Sequence, residues 1–394
     1  MENSSALTIC MVSHRLPPEY SGAGQFALNL SMKLASAGIK MRLLTFTENP
    51  VLSGDSVVSG LPVRRVLITR RHNILGALTR LWEEARIILE DGGADIIHWQ
   101  GFLKDMVLAI PAKKILKTRW IFTASLMGYD DFNSIKNYGR IYSHALSRFD
   151  GVFVPCPAMG HGFRKSPGFE KNFMLLPFGI DIFRFCPADA EQKQLLRKRL
   201  GLPQDRKILC FAGGIVRRKG VQHLLRMMAS LKHSESPPVL LLIGPWESDS
   251  EELRGGFKRE LDAYAASSDI ADFLIWTGKV DNLEDYLRAS DIFVFPSLRE
   301  GLAISLLDAI ACGLPCVAGL VPGMSDFAIE DGTTGLLVNP EDHASLENTV
   351  KKLLNDDSLR IEMGKQGRER AVRMFSLDTA AQQHMEFYRQ VVKA

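Results

Sequence analysis

The sequence predicts an α/β protein built as two doubly wound halves. Short apolar runs bounded by Gly and Pro alternate with amphipathic segments along the chain. That strand–loop–helix series runs from Leu7 to Leu176 and begins again at Lys207. A chain of 394 residues also exceeds what one ordinary hydrophobic core accommodates.

In the first half, Leu7–Ser13 (LTICMVS) reads as a buried parallel strand. A Pro- and Gly-rich loop, His14 to Gly24, leads to an amphipathic helix from Phe26 to Ala37, stopped by Gly38 before the strand Met41–Phe46. Gly22 and Gly24 form a G-x-G without the third glycine of a dinucleotide fingerprint, so a nicotinamide cofactor is not indicated. Strands follow at Val63–Leu67, Asp95–His98, Arg119–Thr123, Gly151–Val154 and Phe173–Leu176, with helical patterns at Ile74–Glu90 and Ile135–Arg148. Pro177 to Pro187 reads as turn and linker.

The second half opens on the strand Lys207–Ala212 and the basic loop Gly213–Gly220 (GGIVRRKG), followed by the helix Val221–Leu231. Strands at Val239–Ile243, Phe273–Thr277 and Ile292–Phe295 come next, with a short helix at Glu284–Ala289. Past the segment Pro296–Val317 come strands at Pro315–Ala318 and Gly335–Val338. Helices at Ser345–Leu354, Leu359–Met374 and Leu377–Val392 finish the chain.

Composition is that of an ordinary globular protein, 46% hydrophobic and 24% charged. No apolar run approaches the ~20 residues of a membrane-spanning helix. The N-terminus lacks a basic region followed by an apolar stretch, so no secretion signal is expected. Six scattered cysteines read as buried thiols of a reducing cytosol. Net charge is +3, but residues 1–185 carry 22 Lys and Arg against 15 Asp and Glu. A cytoplasmic protein with no nucleic-acid partner is expected; the basic half reads either as solvated surface or as a peripheral contact to an anionic membrane.

The most informative stretch is PSLREGLAISLLDAIACGLPCV, Pro296 to Val317. A strand runs into a charged loop, and Gly301 is expected to open an apolar helix that Gly313 and Pro315 stop. A helix N-terminus offers unpaired N–H groups and partial positive charge to a phosphate. Glu300 lies just before that start and Asp308 seven residues after Gly301, roughly 10 Å along a helix. A ligand with a diphosphate between two hydroxyl-bearing ends fits that spacing; so does a core helix whose Asp308 bonds to protein. In the Gly213–Gly220 loop, Arg217, Arg218 and Lys219 bring fixed positive charge to a backbone that can curl around a ligand. Such charge suits a leaving diphosphate. Asp130 (in MGYDDF) reads either as a cleft acid or as a turn former, and His98 either as a cleft residue or as a satisfied core histidine. No Ser-His-Asp or zinc-type spacing emerges.

On these residues the chain resembles the retaining glycosyltransferases of the family 4 group. Their acid, seven residues, acid pattern is matched by Glu300 and Asp308, their linker by LLPFGIDIFRFCP, their phosphate loop by GGIVRRKG and their N-terminal glycine loop by PPEYSGAG. The resemblance implies the GT-B fold: two Rossmann-like domains facing a cleft, with a last helix crossing back to the first domain. It divides the chain into an acceptor-binding domain at 1–184, a nucleotide-sugar domain at 185–375 and a crossover helix at 376–394. It implies transfer from a nucleoside diphosphate sugar to a glycan or lipid-linked acceptor, with no cofactor and no metal. Glu300 and Lys219 would be catalytic, Glu300 on the sugar hydroxyls and Lys219 on the leaving diphosphate. Gly24, Gly214, Arg218, Gly301, Leu302, Ala303, Ile304 and Asp308 would hold the donor, Asp308 through ribose hydroxyls. His98 and Asp130 would stand on the acceptor side. Three positions depart from the family pattern: Asp308 where Glu is usual, Gly214 where Arg is frequent, and Met127 where His is frequent. Alternatives are an epimerase or phosphorylase on the same fold, or a non-catalytic sugar-nucleotide or glycan-binding module.

Overall fold

The computed structural model describes residues 7–19, 21–68, 93–102, 113, 118–165, 173–247, 253 and 256–393. The expected helix Ile74–Glu90 lies outside them. The chain forms two compact units, one of residues 1–179 with 377–394, the other of 180–376.

The first unit holds strands β1 (Thr8–Ser13), β2 (Lys40–Thr47), β3 (Gly54–Val58), β4 (Leu61–Leu67), β5 (Ile96–Gln100), β6 (Arg119–Thr123), β7 (Gly151–Val154) and β8 (Phe173–Leu175). They form one sheet in the order β3-β4-β2-β1-β5-β6-β7-β8, parallel except for β3. The central strands are buried on both faces, which is why they read as continuous apolar runs. Helix α1 spans Gly22–Ser36, and the Ser21 side chain caps it by accepting from the Gly24 N–H. It therefore starts four residues before the expected Phe26, with both glycines in its first turn. The expected helix Ile135–Arg148 is two, α2 (Phe132–Asn137) and α3 (Arg140–Leu146), broken at Gly139, whose φ is +133°. A short helix, α4 (Pro157–Arg164), has no counterpart in the sequence reading.

The second unit contains β9 (Ile208–Ala212), β10 (Val239–Ile243), β11 (Leu274–Gly278), β12 (Ile292–Phe295), β13 (Cys316–Gly319) and β14 (Leu336–Val338). All pair in parallel, in the order β11-β10-β9-β12-β13-β14. That is the 3-2-1-4-5-6 order of a dinucleotide-binding sheet, with its reversal point between β9 and β12. Its helices are α5 (Ala190–Arg199), α6 (Val221–Leu231), α7 (Phe257–Ser267), α8 (Leu283–Ala289), α9 (Ile304–Ala311), α10 (Ser325–Ala328), α11 (His343–Asn355) and α12 (Asp357–Phe375).

The last helix, α13 (Leu377–Lys393), returns to the first unit. Its Phe387 ring packs on Phe153 at 4.7 Å, and Tyr388 is fully buried there. The expected crossover of the final helix is thus present. All six cysteines are free thiols, five of them buried. No described helix is long and apolar enough to cross a membrane.

Candidate active site

In an open parallel sheet, ligands bind beyond the carboxyl ends of the strands, at the reversal point. In the second unit the basic loop leaves β9 there and the Pro296 loop leaves β12, its neighbour. The two loops are locked together: the Leu298 N–H donates to the Arg218 carbonyl at 2.9 Å, and Ser297 Oγ lies 3.2 Å from the same oxygen. Arg217–Lys219 form a single 3-10 turn that ends on Gly220 at φ +73°. A Cβ at Gly220 would stand 2.0 Å from the Pro296 carbonyl oxygen, so glycine is required by both conformation and space.

This packing delivers three donors to one oxygen. Arg218 Nη1 and Lys219 Nζ each approach Glu300 Oε1 at 2.8 Å, and Ser297 Oγ at 3.1 Å. Oε2 accepts no hydrogen bond among the described residues. Burial by itself raises the Glu300 pKa, but Lys219 and Arg218 outweigh it and hold the carboxyl below its usual range. Lys219 is fixed from behind as well, its Nζ lying 5.0 Å over the Phe295 ring.

Helix α9 begins at Ile304 rather than at Gly301; Gly301, Leu302 and Ala303 form a buried approach to it. The first-turn N–H groups, which have no helical acceptor, therefore belong to Ile304 and its neighbours. Ser305 Oγ ties this turn to β9 by donating to the Ala212 carbonyl at 2.8 Å. Asp308 stands four residues into α9, about 6 Å along the axis, not the ten expected. It is 5% exposed, and its carboxylate accepts no hydrogen bond among the described residues. Burial pushes its pKa well above the usual carboxylate range; Arg184 opposes this, while Glu284 and Asp181 add to it. Arg184 is held by the Asp281 carbonyl at 2.7 Å and Glu284 Oε2 at 2.8 Å. Gly214 lies buried in the basic loop, its carbonyl accepting from the Val216 N–H.

Glu300, Lys219, Arg218 and the α9 start thus converge in the second unit. The other three expected site residues belong to the first. Gly24 has no room for a side chain because the Arg15 carbonyl oxygen lies 1.9 Å from where its Cβ would be. Glycine is thus required at this position by the packing of its own chain, a separate matter from its expected place beside the donor. His98 is 0% exposed and lies within 2.6 Å of both Tyr388 Oη and Thr123 Oγ1. It is a core histidine, pushed well below its ordinary pKa by burial and then by His384. Asp130 accepts from the Ser125 N–H, Ser125 Oγ and the Leu126 N–H at 2.9, 2.7 and 2.6 Å. It is a turn former whose pKa burial raises to about 6, against the pull of those donors. Their burial gives neither residue a surface on which an acceptor rests. Ser297, Ser305 and Arg184 lie inside the Pro296–Val317 stretch and the linker motif but are not marked individually in the sequence, because their partners, the carbonyls of Arg218, Ala212 and Asp281, are distant along the chain. No group of three or more His, Cys, Asp or Glu among the described residues is placed to hold a metal ion.

Two family models match the chain: the glycosyl transferase 4-like domain over residues 21–179, and glycosyl transferases group 1 over residues 192–370. The chain belongs to the family 4-type glycosyltransferases. Among curated relatives, the D-inositol 3-phosphate glycosyltransferase of Xylanimonas cellulosilytica is 31% identical over 224 residues, covering 56% of this chain and 51% of that protein. A GDP-mannose-dependent mannosyltransferase of Corynebacterium glutamicum, named for a monoacylated phosphatidylinositol monomannoside, is 29% identical over 215 residues, covering 52% and 53%. The chain spans about half the length of the curated relatives it matches. Among solved structures, sucrose-phosphate synthase from Thermosynechococcus elongatus superposes with a TM-score of 0.82 at 23% identity, covering 98% of this chain and 99% of that one. Anabaena HepE, solved with UDP and glucose, superposes at 0.80 with 18% identity, covering 98% and 100%. These likenesses show the GT-B fold for this family member.

Proposed function

We propose that the chain transfers a glycosyl group from a nucleoside diphosphate sugar to a glycan or lipid-linked acceptor hydroxyl, with retention of anomeric configuration. The observation that carries this reading is the polarised Glu300 carboxylate. Its Oε1 is occupied by Lys219, Arg218 and Ser297, so Oε2 is the oxygen left to accept hydroxyls of the donor sugar. The diphosphate would lie against the first turn of α9, where N–H groups and helix dipole favour negative charge. Asp308, a nearly buried acid with no donor of its own among the described residues, would accept from the ribose hydroxyls. The bond from the anomeric carbon to the diphosphate oxygen breaks with its electron pair leaving on that oxygen. Lys219 and the helix terminus stabilise the charge that grows there. The acceptor oxygen bonds to the same face of the sugar, and its proton passes to the departing phosphate oxygen.

HepE, whose solved complexes contain UDP and UDP-glucose, supports a nucleotide-sugar donor through shared fold. The excess of Lys and Arg in residues 1–185 supports electrostatic attraction to an anionic membrane carrying a lipid acceptor. Sedimentation with anionic vesicles at low salt tests that part, and no binding there removes it.

Incubation with UDP-, GDP- and ADP-sugars and an acceptor panel, followed by NMR of the new anomeric proton, tests the reaction. A product with the donor's configuration is expected. Turnover without an acceptor points to an epimerase, a demand for inorganic phosphate to a phosphorylase, and donor binding without turnover to a binding module; each overturns the proposal.

A further inference from the structure

We infer that Trp246 is the stacking wall for the nucleobase of the donor, an inference that rests on the donor reading above. With the sugar at Glu300 and the ribose at Asp308, the base must lie beyond Asp308, away from Glu300. Asp308 is near enough to Arg184, Glu284 and Asp181 to feel their charges. Arg184 in turn grips the Asp281 carbonyl and Glu284, which fixes the loop between β11 and α8 next to the ribose acid. At its other end this loop begins at Gly278, whose carbonyl accepts from the Gly244 N–H at the end of β10, 2.9 Å away. Two residues past Gly244 stands Trp246, its ring edge 3.4 Å from where a Cβ on Gly278 would be. Strand order agrees, because the carboxyl ends of β12, β9, β10 and β11 succeed one another across the sheet. The base therefore meets the β10 and β11 ends after the diphosphate has met the β12 and β9 ends.

The chain puts aromatic surface at that place. Trp246 and Trp276 are both half-buried and pack edge to face, with centroids 6.4 Å apart. Lys258 covers Trp276, its Nζ 4.1 Å above that ring but 5.4 Å from Trp246. Of the two indoles, Trp246 is the one less occupied by the cation, and it is the one that touches the start of the loop. An indole stacks on any base, so it adds affinity for the nucleoside half of the donor and none for the phosphates.

The test is calorimetric titration of wild type, W246A and W246F with UDP, GDP, ADP and inorganic pyrophosphate. W246A should weaken the preferred nucleoside diphosphate at least about tenfold, the lower range for losing one base–aromatic stack. It should leave pyrophosphate affinity unchanged, and W246F should recover most of the loss. A W246A protein that binds the nucleotide as wild type does overturns the inference. So does one that loses pyrophosphate equally, which would make Trp246 a structural residue. Wild-type protein that binds none of the four ligands removes instead the donor reading beneath it.

Discussion

Lys219 Nζ stands 2.8 Å from Glu300 Oε1, so the cation and the acid that the proposed reaction needs hold each other in place. The pair is nearly buried, at 12% and 8% side-chain exposure, and Arg218 completes it from the other side. Removing Lys219 leaves Glu300 with Arg218 and Ser297, so K219A should fold with little loss. Its turnover should drop about 100- to 1,000-fold, the range for losing one preorganised charge at a leaving group. Steady-state rates and thermal melts on the same preparation check both halves; a K219A protein with wild-type turnover contradicts the role.

Asp308 lends itself to a test by pH. Its folded pKa is raised, chiefly by burial. The sign follows from linkage: its contribution to stability is full below the unfolded value, near 4, and is lost as pH rises through the folded value. Asp308→Asn, neutral at every pH, should melt at the same temperature as wild type in acid and above it at pH 8. Equal melting at both pH values counts against an uncompensated acid there. The same variant should weaken donor binding, because an amide replaces one ribose acceptor.

The buried histidines of the first unit act in the opposite sense. His384 is lowered to about 4 by burial, and His98 lies well below its ordinary value for the same reason. Their stabilisation is complete above about 6.5 and is lost as pH falls towards 4. Asp130, raised to about 6, partly offsets this, since its contribution grows over the same fall in pH. Beyond the Nδ1–H bond to the Ala380 carbonyl, His384 has an Nε2 without a hydrogen-bond partner among the described residues, so leucine is a mild replacement. H384L should flatten the fall in melting temperature between pH 6.5 and 4; an unchanged slope contradicts the assignment.

Gly220 couples fold to site. Alanine there meets the Pro296 carbonyl at 2.0 Å in a backbone conformation that L residues avoid. G220A should cost about 1–3 kcal/mol of stability and displace Lys219, its chain neighbour. A G220A protein that keeps both melting temperature and turnover contradicts the close loop packing.

Much of this architecture is legible along the chain, and the exceptions have physical causes. The helix Val221–Leu231 and the strands Val239–Ile243 and Ile292–Phe295 fall where the apolar pattern places them, because each is buried along most of its length. Helix Ala190–Arg199 escapes that pattern because only Leu196 and Arg197 are buried; the Asp189 cap, which accepts from the Gln192 N–H, is the signal that marks it. Strand Gly54–Val58 escapes because it is a short, solvent-exposed edge strand with no buried residue. The α9 start is misread at Gly301 because a glycine before an apolar run looks like a helix entry, whereas Gly301–Ala303 are buried in their approach to the helix. In the site, Glu300 and Asp308 are visible as acids that interrupt an apolar stretch. What is not visible is that Glu300 meets Lys219, 81 residues earlier, for that follows from β9 lying beside β12.

Glu300 is proposed to act on the donor sugar, and comparing wild type with Glu300→Gln for release of nucleoside diphosphate from the preferred donor, in the presence of acceptor, tests that role. The amide preserves shape and can still accept from Ser297, so a folded protein with turnover lowered at least about 100-fold is expected. A folded E300Q protein that releases nucleoside diphosphate at the wild-type rate would contradict a role for Glu300 on the donor sugar.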